Sequence, residues 1–180
     1  MFIPVNMNRY LTLLIITISF IGCQSILSNP ESEQITDWGE RSASLKSSDS
    51  LIEGTTYLSV YSQVYGLKRD IVHELTSIIT IRNTSRKDRV YVKSAELYKA
   101  NGSFIRDYLR HPIFIEPMET LELVIFRKEG LNIEEHEEGN FIFEWAARKA
   151  DSKPHFEAVM ISTRGKHGLA FTTTGVEVIN

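Results

Sequence analysis

The sequence predicts an all-β protein, an antiparallel immunoglobulin-like β-sandwich that follows a signal peptide and a flexible linker. Two observations carry the fold prediction. From Gly54 onward, short runs of residues alternate between apolar and polar, which is the period of a half-buried strand. Turn residues separate these runs at short intervals, and no run carries the apolar stripe of an amphipathic helix.

The predicted strands follow one another closely along the chain. They cover residues 57–62, 75–83, 90–98, 104–109, 113–115, 121–125, 141–145, 156–162, 169–173 and 176–179. Asn101-Gly102 lies between the third and fourth runs and is the strongest short-range signal of a hairpin. Pro112 and Pro117 flank the run 113–115, which favours an edge strand because proline cannot donate to a sheet ladder.

The most apolar strand face belongs to the run 141–145. Phe141, Phe143 and Trp145 recur at every second position, so they share one face of that strand. Such a face must be covered by an opposing sheet, and we therefore expect Trp145 at the centre of the core. Glu144 is expected to point outward. An exposed aromatic binding strip is the alternative.

The N-terminus predicts a signal peptide over residues 1–22, with Met1 or Met7 as its start. Arg9 is the only charged residue before Glu31, and residues 11–21 are apolar apart from two threonines and a serine. Eleven helical residues span about 16 Å, which is half of a bilayer core and too short for a transmembrane helix. This length suits the apolar region of an export signal.

The segment Phe20-Ile21-Gly22-Cys23 resembles the lipobox of bacterial lipoproteins, although Phe20 stands where Leu is usual. The resemblance implies that the chain is cut before Cys23 and that Cys23 is acylated, which makes its lipid the contact with the membrane. Cys23 is the single cysteine of the chain. An ordinary signal peptide with a coincidental cysteine is the alternative.

Residues 23–53 read as a flexible linker, and the domain is predicted to occupy residues 54–180. Ser, Glu, Asp and Asn dominate the linker, which cannot bury enough apolar surface to offset its ordering entropy. In the alternative reading, Ile35 and Trp38 dock on the domain or belong to a short helix.

Composition excludes several classes of function. A net charge of −3 does not suit nucleic-acid binding, which needs a basic face. One cysteine excludes a disulfide framework and a cysteine-based zinc site, and the five histidines show no metal spacing. We interpret the acidic run around His136 as a solvated loop, since consecutive carboxylates splay apart instead of converging on Ca²⁺. No metal or cofactor is predicted.

No catalytic pattern is evident, and the chain is not predicted to be an enzyme. A Gly-x-Ser-x-Gly elbow is absent from the sequence. A catalytic triad formed by residues distant in the sequence is the alternative, because triads are defined by geometry and not by sequence position.

Four residues are speculative ligand contacts. Arg82 and Asn83 lie at a strand end and are suited to an anionic ligand, with a structural ion pair as the alternative. Tyr61 and Tyr65, together with Tyr57, Tyr98 and Tyr108, can line a sugar or peptide groove. Tyrosines also lie at the core and rim of sandwiches, where their hydroxyls reach solvent, so this alternative stays open.

The domain resembles DUF3124, a bacterial family of unknown function. The segments that carry the resemblance are 57–62, Tyr65, 80–84, Tyr98 with Asn101-Gly102, 107–109, 140–141, 144–145, 158–161, Gly168 and Phe171. Each is weak alone, but their order is specific and covers residues 54–178. The family usually has a Gly-rich loop before the Asn140-Phe141 pair, where this chain has the acidic run 134–139, so no role of that loop is carried over. The resemblance implies no activity.

Three functional hypotheses follow. The first is a non-catalytic, lipid-anchored module of the cell envelope, which binds or organises an unknown protein or glycan partner. The others are an envelope hydrolase with an unrecognised site and a surface-displayed adhesion module. Gln24 is not the Asp that retains many lipoproteins at the inner membrane, and the following residues lack an acidic export tag. These features favour the outer membrane, with the domain facing the periplasm.

Overall fold

The structure is a computed structural model that describes residues 38–46, 49–68, 71–125, 139–163 and 168–179. The predicted signal peptide, Cys23, Ile35 and the acidic run around His136 lie outside these residues. Among the described residues, no helix combines the length and the apolar character that a bilayer crossing requires.

The described chain forms twelve strands and two short 3-10 turns. The strands are β1 (Ile52–Val60), β2 (Gln63–Tyr65), β3 (Val72–Glu74), β4 (Thr76–Arg82), β5 (Val90–Lys99), β6 (Phe104–Asp107), β7 (Ile113–Ile115), β8 (Thr120–Ile125), β9 (Gly139–Ala147), β10 (His155–Ser162), β11 (Leu169–Thr174) and β12 (Val176–Glu177). The 3-10 turns are Gly39–Arg41 and Ala150–Ser152.

The strands pair as antiparallel sheets. The larger sheet has the order β12-β1-β9-β5-β6, and β7 also pairs with β5. The smaller sheet has the order β11-β10-β4-β8, while β2 and β3 form a separate ribbon. The prediction of an all-β antiparallel protein is therefore confirmed. The finer assignment to the immunoglobulin-like type stays a prediction.

Stacked aromatic rings join the two sheets in the core. Phe143 of the larger sheet stacks on Phe156 of the smaller sheet, with ring centroids 4.5 Å apart. On the same face, Phe141 stacks on Phe143 at 5.4 Å. Trp145 is only 2% exposed, whereas the neighbouring Glu144 is exposed. The structure confirms the predicted core face, and the alternative of an exposed aromatic strip is wrong.

Trp145 occupies space that a glycine on the neighbouring strand leaves open. Gly54 is its direct partner on β1, and a Cβ atom added to Gly54 would lie 2.3 Å from Cζ2 of the indole. The indole Nε1 donates a hydrogen bond of 3.0 Å to Oγ1 of Thr56. The buried Trp145 is thus packed and also hydrogen-bonded, as a tryptophan in a core should be.

The two turn and edge predictions are also confirmed. Asn101-Gly102 lies in the loop that joins β5 to β6, and Gly102 has a φ of +84°, which favours glycine. The run flanked by prolines forms β7, which pairs with β5 among the sheet strands. Its other side is covered, because Ser42 forms an isolated antiparallel bridge with Ile113.

The linker prediction is wrong for the residues that begin at Trp38. Trp38 is 8% exposed and belongs to the hydrophobic core. The Arg41 guanidinium donates two hydrogen bonds of 2.7 Å to the carboxylate of Glu119, and the Ala43 amide donates to the carbonyl of Pro112. One large aromatic and one bidentate ion pair order a segment whose average composition is typical of a linker.

Candidate functional site

Asn83 has a structural role, so its interpretation as a ligand contact is wrong. It is 2% exposed at the end of β4. Its Nδ2 donates to the carbonyls of Asp88, Ile115 and Glu116 at 2.9–3.0 Å, and its Oδ1 accepts from the amide of Ser85 at 2.9 Å. The buried side chain of Asn83 thereby hydrogen-bonds to backbone groups of two loops. Buried side-chain amides are normally hydrogen-bonded in this way.

We expect Asn83→Ala to lower the free energy of unfolding by about 2 kcal/mol, because it leaves buried carbonyls without a donor. Urea denaturation monitored by circular dichroism measures the change. The matched control is Thr84→Ala, since Thr84 is the exposed neighbour and its truncation should stay within about 0.5 kcal/mol. Equal stability of the two variants would contradict the structural role of Asn83.

The remaining speculative contacts are not brought together. Nη2 of Arg82 lies 3.5 Å from Oε2 of Glu157. This is the structural ion pair at a strand end that was the alternative to a ligand contact. Tyr61 packs against the core, and its carbonyl accepts a hydrogen bond from Ser77, near the other end of β4. Ser77 and Arg82 are five positions apart along the strand, which is about 17 Å. Tyr65 lies at the end of β2, and the four residues therefore form no common site.

Polar and aromatic residues converge instead on the outer face of the larger sheet. Residues directly opposite each other on antiparallel strands share a face, and two such rows adjoin. We name this surface the tyrosine platform, and its residues are Tyr57, Ser59, Glu96, Tyr98, Phe104, Asn140 and Ile142. In one row Asn140 lies between Ser59 and Tyr98, and in the other Ile142 lies between Tyr57 and Glu96. All seven side chains are half-buried or exposed.

Hydrogen bonds fix the two tyrosines of the platform. The Tyr57 hydroxyl donates to Oδ1 of Asn140 at 2.7 Å and accepts from the Ser59 hydroxyl at 3.2 Å. The Tyr98 hydroxyl donates to the carboxylate of Glu96. Ser59 and Glu96 are each two positions from the tyrosine they contact. A tyrosine whose hydroxyl meets the next outward residue of its own strand lies along the sheet, so both rings extend over the platform.

The electrostatics of the platform keep Tyr98 protonated. The hydrogen bond to Glu96 raises the pKa of the Tyr98 hydroxyl above its ordinary value, and burial adds to the effect. Loss of the proton would place a phenolate beside a carboxylate. The Tyr98 hydroxyl therefore keeps its proton to a higher pH than an ordinary tyrosine and donates it in a hydrogen bond to Glu96.

A depression of about 330 Å³ adjoins the platform on the same face. Its lining includes Thr55 and four charged residues, which are Glu53, Lys93, Glu144 and Glu177. Lys93 lies between two carboxylates, 2.9 Å from Glu53 and 3.9 Å from Glu144. The expectation that Glu144 points outward is confirmed, and its carboxylate lies beside a compensating ammonium group.

A second depression, of about 320 Å³, lies beside Trp38. Two arginine–carboxylate pairs stand next to it: Arg41 binds Glu119, and Arg89 binds Glu116. Hydrogen bonds from these arginines lower the pKa values of Glu119 and Glu116. A lowered pKa in the folded state stabilises the fold at neutral pH, and this contribution disappears as the pH falls through that pKa. Of the two pairs, Arg41–Glu119 is the one that ties the Trp38 segment to the rest of the domain.

Sequence reasoning pointed to part of the platform. Tyr57 and Tyr98 were among the tyrosines suited to a sugar or peptide groove, whereas Ser59, Glu96 and Asn140 were missed. The signal that unites them is cross-strand register, which a single sequence does not contain. Among the residues that the structure describes, no group of three or more His, Cys, Asp or Glu side chains is placed to hold a metal ion.

Comparisons with known proteins place the chain in a family without supplying an activity. No curated protein matches it. A solved structure described as "Crystal Structure of Thermotoga maritima 1070" is 13% identical and has a TM-score of 0.38, with 68% of this chain and 92% of that chain covered. That likeness is too low to carry an argument. The family match spans residues 53–178 and bears the description "Protein of unknown function (DUF3124)". The chain therefore belongs to the DUF3124 family.

Proposed function

We propose that this protein is a lipid-anchored module of the cell envelope that binds a ligand on the tyrosine platform and does not catalyse a reaction. The observation that carries the proposal is the platform itself, where hydrogen bonds hold two tyrosines on an outward sheet face. Prepositioned side chains lose little conformational entropy when a ligand binds, which favours recognition.

The openness of the platform favours binding over hydrolysis. General acid–base chemistry gains most where water is excluded and charges act in a low dielectric. The platform lies on the outer face of the sheet, and its carboxylate, Glu96, accepts a hydrogen bond from Tyr98. In the adjoining depression, Lys93 lies 2.9 Å from Glu53 and 3.9 Å from Glu144, so its ammonium group balances one of the two negative charges. These arrangements suit ligand contact better than proton transfer.

The N-terminal sequence supports the proposed anchor. The lone Cys23 ends a lipobox-like segment directly after an apolar stretch. Two or more acyl chains hold a protein stably at a membrane, whereas one chain holds it only marginally. Gln24 in the following position favours the outer membrane as the destination, with the domain on the periplasmic side.

We expect Cys23→Ala to abolish incorporation of radioactive palmitate and to leave the uncleaved precursor in the membrane fraction. The alanine side chain offers no thiol for acylation, and cleavage in lipoproteins follows that step. Labelling in a bacterial host, followed by immunoprecipitation and mass measurement, tests both effects. Ser25→Ala is the matched control and should remain labelled. Palmitate retained by Cys23→Ala would contradict the anchor.

A further inference from the structure

We infer that the ligand of the tyrosine platform is an uncharged polysaccharide chain. The inference rests on the proposed function, because it names the ligand class of the same surface. Three features of the platform carry it: the placement of its aromatic residues, the mixture of donors and acceptors between them, and its position in the middle of a sheet.

The aromatic residues of the platform suit sugars. The hydroxyls of Tyr57 and Tyr98 are bonded to Asn140 and Glu96, so both rings are held over the outer face of the sheet, where both residues are half-buried. An aromatic face carries negative charge density and attracts the weakly positive C–H groups of a pyranose ring. Phe104 adds a second aromatic contact at an angle to the first: its ring meets that of Tyr98 edge-to-face, with centroids 5.6 Å apart and planes inclined by 72°, and the residue is 57% exposed.

The spacing of the rings suits a chain of sugars. Tyr57 on β1 and Tyr98 on β5 flank the central strand β9. Two strand spacings and an offset of two residues along the strands separate their Cα positions, which together is about 12 Å. A single monosaccharide covers one ring, whereas a chain of several units can contact both rings and reach Phe104.

The polar groups of the platform match hydroxyl groups, each of which donates and accepts. Asn140 accepts from Tyr57 through Oδ1, and its Nδ2 group carries two N–H donors. The Glu96 carboxylate accepts from Tyr98 and has lone pairs for further donors. Glu96 is the one formal charge among the seven platform residues, and a negative charge disfavours a polyanionic ligand.

The position of the platform disfavours an extended peptide. Peptides that bind to sheets usually add a strand to an unpaired edge and gain backbone hydrogen bonds. At the centre of the platform, β9 is paired with β1 on one side and with β5 on the other. Recognition on this face therefore depends on side chains, and a proline-rich peptide is the competing ligand that uses aromatic side chains.

The test measures binding of the full-length lipidated protein, in detergent, to an array of uncharged bacterial polysaccharides and a set of proline-rich peptides. Isothermal titration calorimetry then quantifies the strongest ligand. We expect carbohydrate binding that weakens about tenfold or more in Tyr98→Ala and in Phe104→Ala, which corresponds to the loss of one stacking contact. Phe104→Ala is included because its exposed side chain contributes little to folding, and melting temperatures verify that each variant is folded.

Tyr65→Ala is the matched control, because Tyr65 is 52% exposed but lies on β2, outside the platform. It should bind as the wild type does. Carbohydrate binding that survives both platform substitutions, or no binding to any carbohydrate, would overturn the inference. Peptide binding that is lost in the platform variants would also overturn it while leaving the proposed function in place. Binding of neither class would count against both proposals.

Discussion

Trp145→Ala is expected to lower the free energy of unfolding by about 3–5 kcal/mol. The substitution removes a side chain that is 2% exposed and opens a cavity against Gly54, which cannot fill it. It also deprives the Thr56 hydroxyl of its indole donor. A loss of this size is a large share of a typical total stability of about 5–15 kcal/mol. Urea denaturation followed by far-UV circular dichroism measures the effect without depending on tryptophan fluorescence.

The adjacent Glu144 offers the control for this experiment. It lies on the same strand with its side chain on the opposite, exposed face, 3.9 Å from Lys93. Glu144→Ala should change the stability by no more than about 0.5 kcal/mol, since exposed ion pairs contribute little. A Trp145→Ala protein within about 1 kcal/mol of the wild type would contradict the packing of the core.

Trp38→Ala is the second substitution with a large expected effect, again about 3–5 kcal/mol. Trp38 is a core residue, and its neighbour Arg41 binds Glu119 through two hydrogen bonds of 2.7 Å. Truncation removes apolar contacts and weakens the anchorage of the whole segment. A chain that begins at Glu53 should therefore melt at a clearly lower temperature, by more than the few degrees that about 1 kcal/mol produces in a domain of this size.

Glu40→Ala tests whether the effect is specific, because Glu40 belongs to the same 3-10 turn but is exposed. Its melting temperature should stay near that of the wild type. Fluorescence of the Trp145→Phe protein, in which Trp38 is the remaining tryptophan, gives a second measurement. A blue-shifted emission that is protected from acrylamide agrees with docking. Free quenching and an unchanged melting temperature of Trp38→Ala would restore the flexible linker.

The strands were predictable because burial on one face leaves a period-two record in the sequence. Phe141, Phe143 and Trp145 recorded the core face, and Asn101-Gly102 recorded a hairpin. The ribbon of β2 and β3 was not predicted, since its three-residue strands are too short to show alternation and lack the flanking prolines that marked the equally short β7. A strand can be predicted from a sequence when the residues within it or next to it show alternation or a turn motif.

Docking of Trp38 and assembly of the platform were less predictable, because both depend on residues distant in the chain. Arg41 and Glu119 are 78 positions apart, and Tyr57 and Asn140 are 83 positions apart. A compositional average over residues 23–53 hides one tryptophan among many polar residues. Asn83 shows that a local pattern can also mislead. Its position beside Arg82 suggested a ligand site, whereas its side-chain amide donates hydrogen bonds to the backbone carbonyls of Ile115 and Glu116.

If Cys23 carries the proposed lipid anchor, docking of Trp38 also shortens the stretch of chain between that anchor and the domain. Trp38 follows Cys23 by 15 positions, whereas Glu53 follows it by 30. Fully extended, these distances are at most about 50 Å and 100 Å. Halving the radius of the hemisphere above a bilayer reduces its volume about eightfold, so the effective concentration of the domain near the membrane rises by a similar factor. The domain would encounter a partner fixed close to the bilayer far more often. It would not encounter a partner that lies beyond the reach of this stretch of chain.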